Sequence, residues 1–344
     1  MFLTICLRRT ANARRIYFEV CSLFTVACFR FVVCCQPLSR ALSLFFWEIA
    51  VPDTLYIIGN GFDLHHGMQT SYESFKLYLQ RKHGLVFDTV EKFLSIDEKW
   101  SDFEEALGNL DVDLLEDDAS NYLPSYGDDD WSESGHHDYQ YELTKNVEAL
   151  SSELYECFCE WINTVDVPNN PTLLNLKLHA RFLTFNYTQT LTELYNIPKS
   201  NVLHIHGSID EPANEIVLGH GWAPEDRTQL TTYIDENTDT RIASGYQVVD
   251  EYFSHTYKST SSVLRKNERF FASLSGLRNI YILGHSMSSV DLEYFRVIAS
   301  QVKFDTNWYI SFYKLEDKIS LSQAAIELGL SESNVHFIKM EEIK

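Results

Sequence analysis

A chain of 344 residues, 45% apolar and 14% aromatic, has room for one large domain with an elaboration or for two domains, and this composition excludes collagen-like, coiled-coil and wholly disordered classes. A formal net charge of -21 makes a bare nucleic acid or an anionic membrane surface a poor partner unless a local basic patch intervenes.

Charge and cysteine are unevenly spread. Residues 1–52 hold six arginines against Glu19 and Glu48, together with five of the seven cysteines. Within them, IYFEVCSLFTVACFRFVVCC has the hydropathy of a signal or membrane segment, but Glu19 and Arg30 interrupt it. A charge near the bilayer centre costs about 2.5–3.5 kcal/mol, so no stable membrane span is expected. We expect the folded domain to start near Asp53 and residues 1–52 to be an atypical, non-native extension. With only Cys157 and Cys159 beyond it and no metal-ligand spacing, the body of the chain is expected to be reduced and cytoplasmic.

From Thr54 onward, apolar runs of strand length alternate with helical patterns. LYIIG (55–59) comes first, followed by helix candidates near 72–83, 101–110 and 140–165. The last of these carries Leu143, Val147, Leu150, Leu154, Phe158 and Trp161 on one stripe, which predicts a single long helix facing a core. The stretch before it, DVDLLEDDASNYLPSYGDDDWSESGHHD, is acid-rich and is expected to be a solvated loop. A helical and acidic insertion is thus predicted over about 68–175, after the first strand.

RFLTF (181–185), a helix near 188–195, NVLHIHG (201–207) and EIVLG (215–219) follow. Then come a helix near 262–276, NIYILG (279–284), a helix near 288–302, WYISFY (308–313), a helix near 321–329 and VHFIKM (335–340). Short continuous apolar runs alternating with helices predict an α/β fold: a doubly wound, mainly parallel, Rossmann-like sheet.

In such sheets ligands bind at the carboxyl ends of the strands. Four ends carry chemistry: Gly59-Asn60-Gly61-Phe62-Asp63, Asn186-Tyr187-Thr188, His206-Gly207 and Gly284-His285-Ser286. Paired glycines admit close approach of an anion to backbone amides, although the third glycine of the dinucleotide fingerprint is missing, and a tight turn needs no more than these two. Asp63 suits a ribose or a helix cap, and Asn186 a water, a sugar hydroxyl or a cap. His206 is a core histidine or, with Gly207 opening space beside it, a ligand-facing one. Ser286 and Asp291 each suit a phosphate or a helix start.

The segments IIGNGFDLHHGMQTSYESF, WSDFEEAL, FNYTQTL, HIHGS and ILGHSMSSVDLEYF resemble the AbiH family of bacterial abortive-infection proteins, which act against bacteriophage. More distantly, the motif order is similar to sirtuins and to sirtuin-like NAD hydrolases of phage defence. That resemblance implies NAD or a related nucleotide as substrate, with no required cofactor and no metal. It implies Asn186 and His206 as the catalytic pair. A nucleotide pocket of Gly59, Asn60, Gly61, Phe62, Asp63, Thr184, Gly207, Gly284, Ser286 and Asp291 goes with them. The sequence departs from that pattern at Asn60 and Thr188, and it lacks a zinc-binding cysteine quartet, which argues against a deacylase. A phage-derived trigger and a homo-oligomer are compatible with the resemblance.

Two other readings are open. Asp63-x-His65 with His206 and GHGW (Gly219 to Trp222) imitates a two-metal phosphoesterase. A non-catalytic nucleotide sensor would use the same scaffold without chemistry.

Overall fold

Strand β3 (Thr54–Ile58) is buried along its whole length, as an uninterrupted apolar run demands of a central strand. The computed structural model describes residues 2–10, 13–21, 52–127, 133–169, 173–210 and 216–343. Two units divide the chain at residues 50 and 51. In the first unit, β1 (Phe2–Thr10) and β2 (Ala13–Cys21) pair as an antiparallel hairpin. The apolar stretch IYFEVCSLFTVACFRFVVCC, where no stable membrane span is expected, runs on past Cys21 and there lies outside the described residues. Among those described, no helix is long and apolar enough to cross a membrane.

The second unit is built on six parallel strands. Beside β3 run β4 (Arg181–Thr184), β5 (Val202–His204), β6 (Asn279–Leu283), β7 (Asn307–Ser311) and β8 (Val335–Ile338), in the spatial order β5-β4-β3-β6-β7-β8. This is the strand order of a doubly wound Rossmann-like sheet, reversing direction between β3 and β6. Alternate residues feed two cores. Leu55, Ile57, Ile280, Ile282, Trp308 and Ile310 face one side. On the other, Phe182, Tyr56, Tyr281, Tyr309 and His336 form a cross-strand aromatic ladder, with successive centroids 4.5–5.1 Å apart.

The insertion after β3 is helical. Following α1 (Asn60–His65) it holds α2 (Tyr72–Lys82), α3 (Gly84–Phe93), α4 (Phe103–Ala106), α5 (Val112–Ser120), α6 (Asp138–Leu150) and α7 (Ser152–Ile162). Helix α8 (Thr190–Leu194) follows β4, and α9 (Thr240–His255), α10 (Thr260–Lys266) and α11 (Glu268–Ala272) precede β6. Helices α12 (Leu292–Gln301) and α13 (Leu315–Glu327) complete the unit.

Four expectations change. The stripe over 140–165 is two helices, because Ser151 leaves helical geometry (φ -123°, ψ -89°) and its hydroxyl takes the Val147 carbonyl at 2.6 Å. Part of the acidic stretch is α5, capped by Asp111 and holding Leu115 and Ala119 against the helical core. The helix near 262–276 breaks at Asn267 into α10 and α11. EIVLG supplies no strand among its described residues 216–219: Ile216 and Leu218 pack instead on the helical core. Helix α9, unforeseen, contributes Val249, Tyr252 and Phe253 to that core, so the insertion and the β5–β6 connection share one apolar interior.

Candidate functional site

The switch point of the sheet lies where the loops after β3 and β6 touch. Gly284 has φ +67°, and a Cβ there would lie 2.2 Å from the Phe62 nitrogen, so only glycine admits the contact. Three amides of the first loop are already engaged: Gly59 N–H donates to Leu283 O at 3.0 Å, Gly61 N–H to Gly284 O at 2.8 Å, and Phe62 N–H to Gly59 O at 2.9 Å. The paired glycines therefore close a seam between two strands, and these amides are not open to an anion.

Above the seam is a cavity of about 470 Å³, bounded below by strand ends and above by the helical insertion. Gly59, Asn60, Gly61 and Asp63 line it from the first strand end, Asn186 from the second and His206 from the third. Gly284, Ser286 and Asp291 line it from the fourth. Phe62, Thr184 and Gly207 lie behind it: Phe62 is fully buried in the sheet core, the Thr184 hydroxyl accepts Asn186 N–H at 3.1 Å, and Gly207 turns the chain at φ +83°.

Asn186 anchors the wall. Its amide nitrogen donates to Gly59 O at 3.1 Å, and its own carbonyl accepts from His204 Nδ1 at 3.0 Å. Asp63 is buried, and its two oxygens accept from Thr188 at 2.5 Å and Thr190 at 2.7 Å. Burial raises the pKa of this carboxyl, with the hydrogen bonds from Thr188, Thr190 and Asn186 opposing the rise.

A second buried group gathers around Lys258, which sequence reasoning missed. Its ammonium, fully buried, donates to Glu104 Oε2 and to Asp291 Oδ1, each at 2.8 Å. The Tyr72 hydroxyl donates to the other Glu104 oxygen at 2.5 Å. Burial alone would push the lysine down, but Glu104 and Asp291 outweigh it and hold the ammonium above the ordinary lysine range. For Asp291, burial is likewise outweighed: the Lys258 charge, then a hydrogen bond from His285, keep the carboxyl well below the ordinary carboxylate range.

Two histidines flank Asp291. His285 Nδ1 accepts the Met287 N–H at 2.8 Å, which leaves the ring proton on Nε2, 3.5 Å from Asp291 Oδ2. His206 Nε2 lies 3.7 Å from Asp291 Oδ1, beyond hydrogen-bond reach, and has no hydrogen-bond partner although buried. Burial, and then the nearby Lys258 charge, push the His206 imidazolium well below its usual range, against the opposing charge of Asp291. The ring is neutral at pH 7.

The GHGW stretch is structural here. A Cβ on Gly219 would lie 2.1 Å from Thr256 O, and His220 bridges to the strand-like backbone at Tyr257, with Lys258 N–H donating to His220 O at 2.9 Å. His220 Nε2 donates to Phe253 O at 3.1 Å. This stretch sets the backbone that carries Lys258, and it does not line the cavity. Among the described residues no three His, Cys, Asp or Glu side chains gather in a group that could hold a metal ion.

The model of the family described as bacteriophage abortive infection AbiH matches residues 55–312. The chain belongs to the AbiH family. The match spans all four strand ends, the helical insertion and Lys258, and the chain is an abortive-infection protein of phage defence. No curated protein and no solved structure matches the chain.

Of the residues found only in the structure, Glu104 stands in WSDFEEAL and His285 in the fourth strand end, so both had a local signal. Thr70 stands in IIGNGFDLHHGMQTSYESF and had the same kind of signal, whereas Lys258 had none.

Proposed function

We propose that this abortive-infection protein binds NAD or a related nucleotide in the cavity at the switch point and hydrolyses its nicotinamide–ribose bond. The observation that supports it most is the orphaned His206 Nε2, buried at the end of β5 on the cavity wall. An unmet buried polar atom costs about 1–3 kcal/mol, an expense relieved when a substrate or its attacking water completes the bond.

In the proposed reaction, water adds to the ribose C1′ while the C1′–N bond breaks. The bonding pair leaves with nicotinamide and cancels the positive charge of its ring, and the proton of the water passes to His206 Nε2. A neutral imidazole is the form this step needs, and Asp291 at 3.7 Å offers a negative charge to the imidazolium as it forms. Asn186, fixed through Gly59, holds the cavity edge where the ribose sits. Because Gly59, Gly61 and Phe62 spend their amides on the seam, the phosphates lie toward the mouth beside Ser286, which is exposed.

The test is made in cells challenged with phage, with the full chain compared with His206→Ala. Total NAD should fall in the wild type, and both the fall and the protection should be lost in the variant, since removing a general base slows such steps by about 10²–10⁴-fold. Protection by the wild type with NAD undiminished refutes the reading.

A further inference from the structure

We infer that the helical insertion makes this cavity selective for a flat organic cation, which under the hydrolase reading is the oxidised, positively charged nicotinamide ring in preference to its uncharged reduced form. That reading supplies the identity of the ring; the charge preference is carried by the cavity itself.

The first observation is electrostatic. Among the described residues, no lysine or arginine lines the cavity, and Lys258, which pairs with two of its lining carboxylates, is matched by Glu104 and Asp291. Asp102 and Glu105, on the α4 turn, line it as well and make no ion pair among the described residues. Two carboxylates without a cationic partner, Asp102 half-buried and Glu105 exposed, give the space a negative potential. The second observation is shape and surface. The insertion adds Trp161 to the wall and β4 is followed by Tyr187, aromatic groups whose ring faces attract a cation.

The third observation points independently to a ligand. Thr70, in the loop between α1 and α2, is buried and lines the same cavity, yet its hydroxyl has no hydrogen-bond partner. The cavity thus has two unmet buried polar atoms, His206 Nε2 from the sheet and Thr70 Oγ1 from the insertion. A ligand bearing hydroxyls beside a cationic ring satisfies both and meets the carboxylates, which is the chemistry of an N-riboside of a pyridinium base.

Equilibrium binding of the full chain to nicotinamide riboside and to its reduced, uncharged form tests this, because the two probes carry no phosphate and differ in the charge of the ring. The oxidised form should bind at least about tenfold tighter. In Asp102→Asn with Glu105→Gln the ratio should collapse toward one with the melting temperature unchanged, while Thr70→Val should weaken both probes by a similar factor. Equal affinities in the wild type, no binding of either probe, or a ratio indifferent to loss of the two carboxylates would overturn the inference. Selective binding without nicotinamide release sinks the hydrolase reading and leaves the inference standing; release with equal affinities does the reverse.

Discussion

Asp63 and Asp291 are both buried, both lie in connections that follow strands of the same sheet and both line the same cavity, yet their surroundings drive them in opposite directions. Asp63 meets neutral hydroxyls from Thr188 and Thr190, and burial lifts its pKa. Asp291 meets an ammonium and two imidazoles, which hold it ionised. One is a clasp that ties the first strand end to the second. The other is the electrostatic centre linking the sheet to the helical insertion through Lys258 and Glu104. Burial alone therefore does not decide whether a carboxylate is ionised; the charge of its partners does.

The sharpest way to break this contrast is Asp291→Asn. It breaks one of the two buried ion pairs of Lys258 and leaves Glu104 as the remaining anion, so urea unfolding should show a loss of about 3–5 kcal/mol, the usual cost of breaking a buried ion pair. A loss below 1 kcal/mol would show that the cluster is far better solvated than its geometry implies. Asp63→Asn should cost less, about 1–3 kcal/mol, because the threonine hydroxyls can reorient toward an amide and no charge is stranded. If the two variants proved equally destabilising, the distinction between clasp and centre would be lost.

The smallest effect is in pH. The folded-state pKa of His206 lies below its unfolded value near 6.5, so the unfolded chain binds a proton that the folded one does not as pH falls below 6.5. Stability is thus full above that value and declines on acidification, by at most about 1.4 kcal/mol per pH unit for this residue. His66 and His220, also lowered by burial, add slopes of the same sign. His206→Gln should flatten the stability profile between pH 6.5 and 5 without abolishing it; an unchanged slope would mean that the ring protonates freely in the folded state.

Much of this arrangement was legible from residue patterns. All six parallel strands announced themselves as short apolar runs, and nine of the twelve site residues expected from the strand ends reach the cavity. EIVLG misled because apolarity says that a segment is buried without saying against what, and here the partner is a helical core. The acidic stretch misled in the other direction: its charge hid Leu115 and Ala119, four residues apart on one helical face. Lys258 was invisible because its partners are 154 and 33 residues away, and no local spacing encodes such a contact. Thr70 stood in a quoted segment, but that its hydroxyl goes unmet was hidden for a related reason, since this is a property of the folded surroundings.

The most direct measurement is nicotinamide release from NAD by the purified full chain, with and without phage lysate, beside His206→Ala of unchanged melting temperature. Under the hydrolase reading, the wild type releases nicotinamide in at least one of these conditions and the variant releases none. Intact NAD throughout, from a preparation whose gene protects cells, would contradict it.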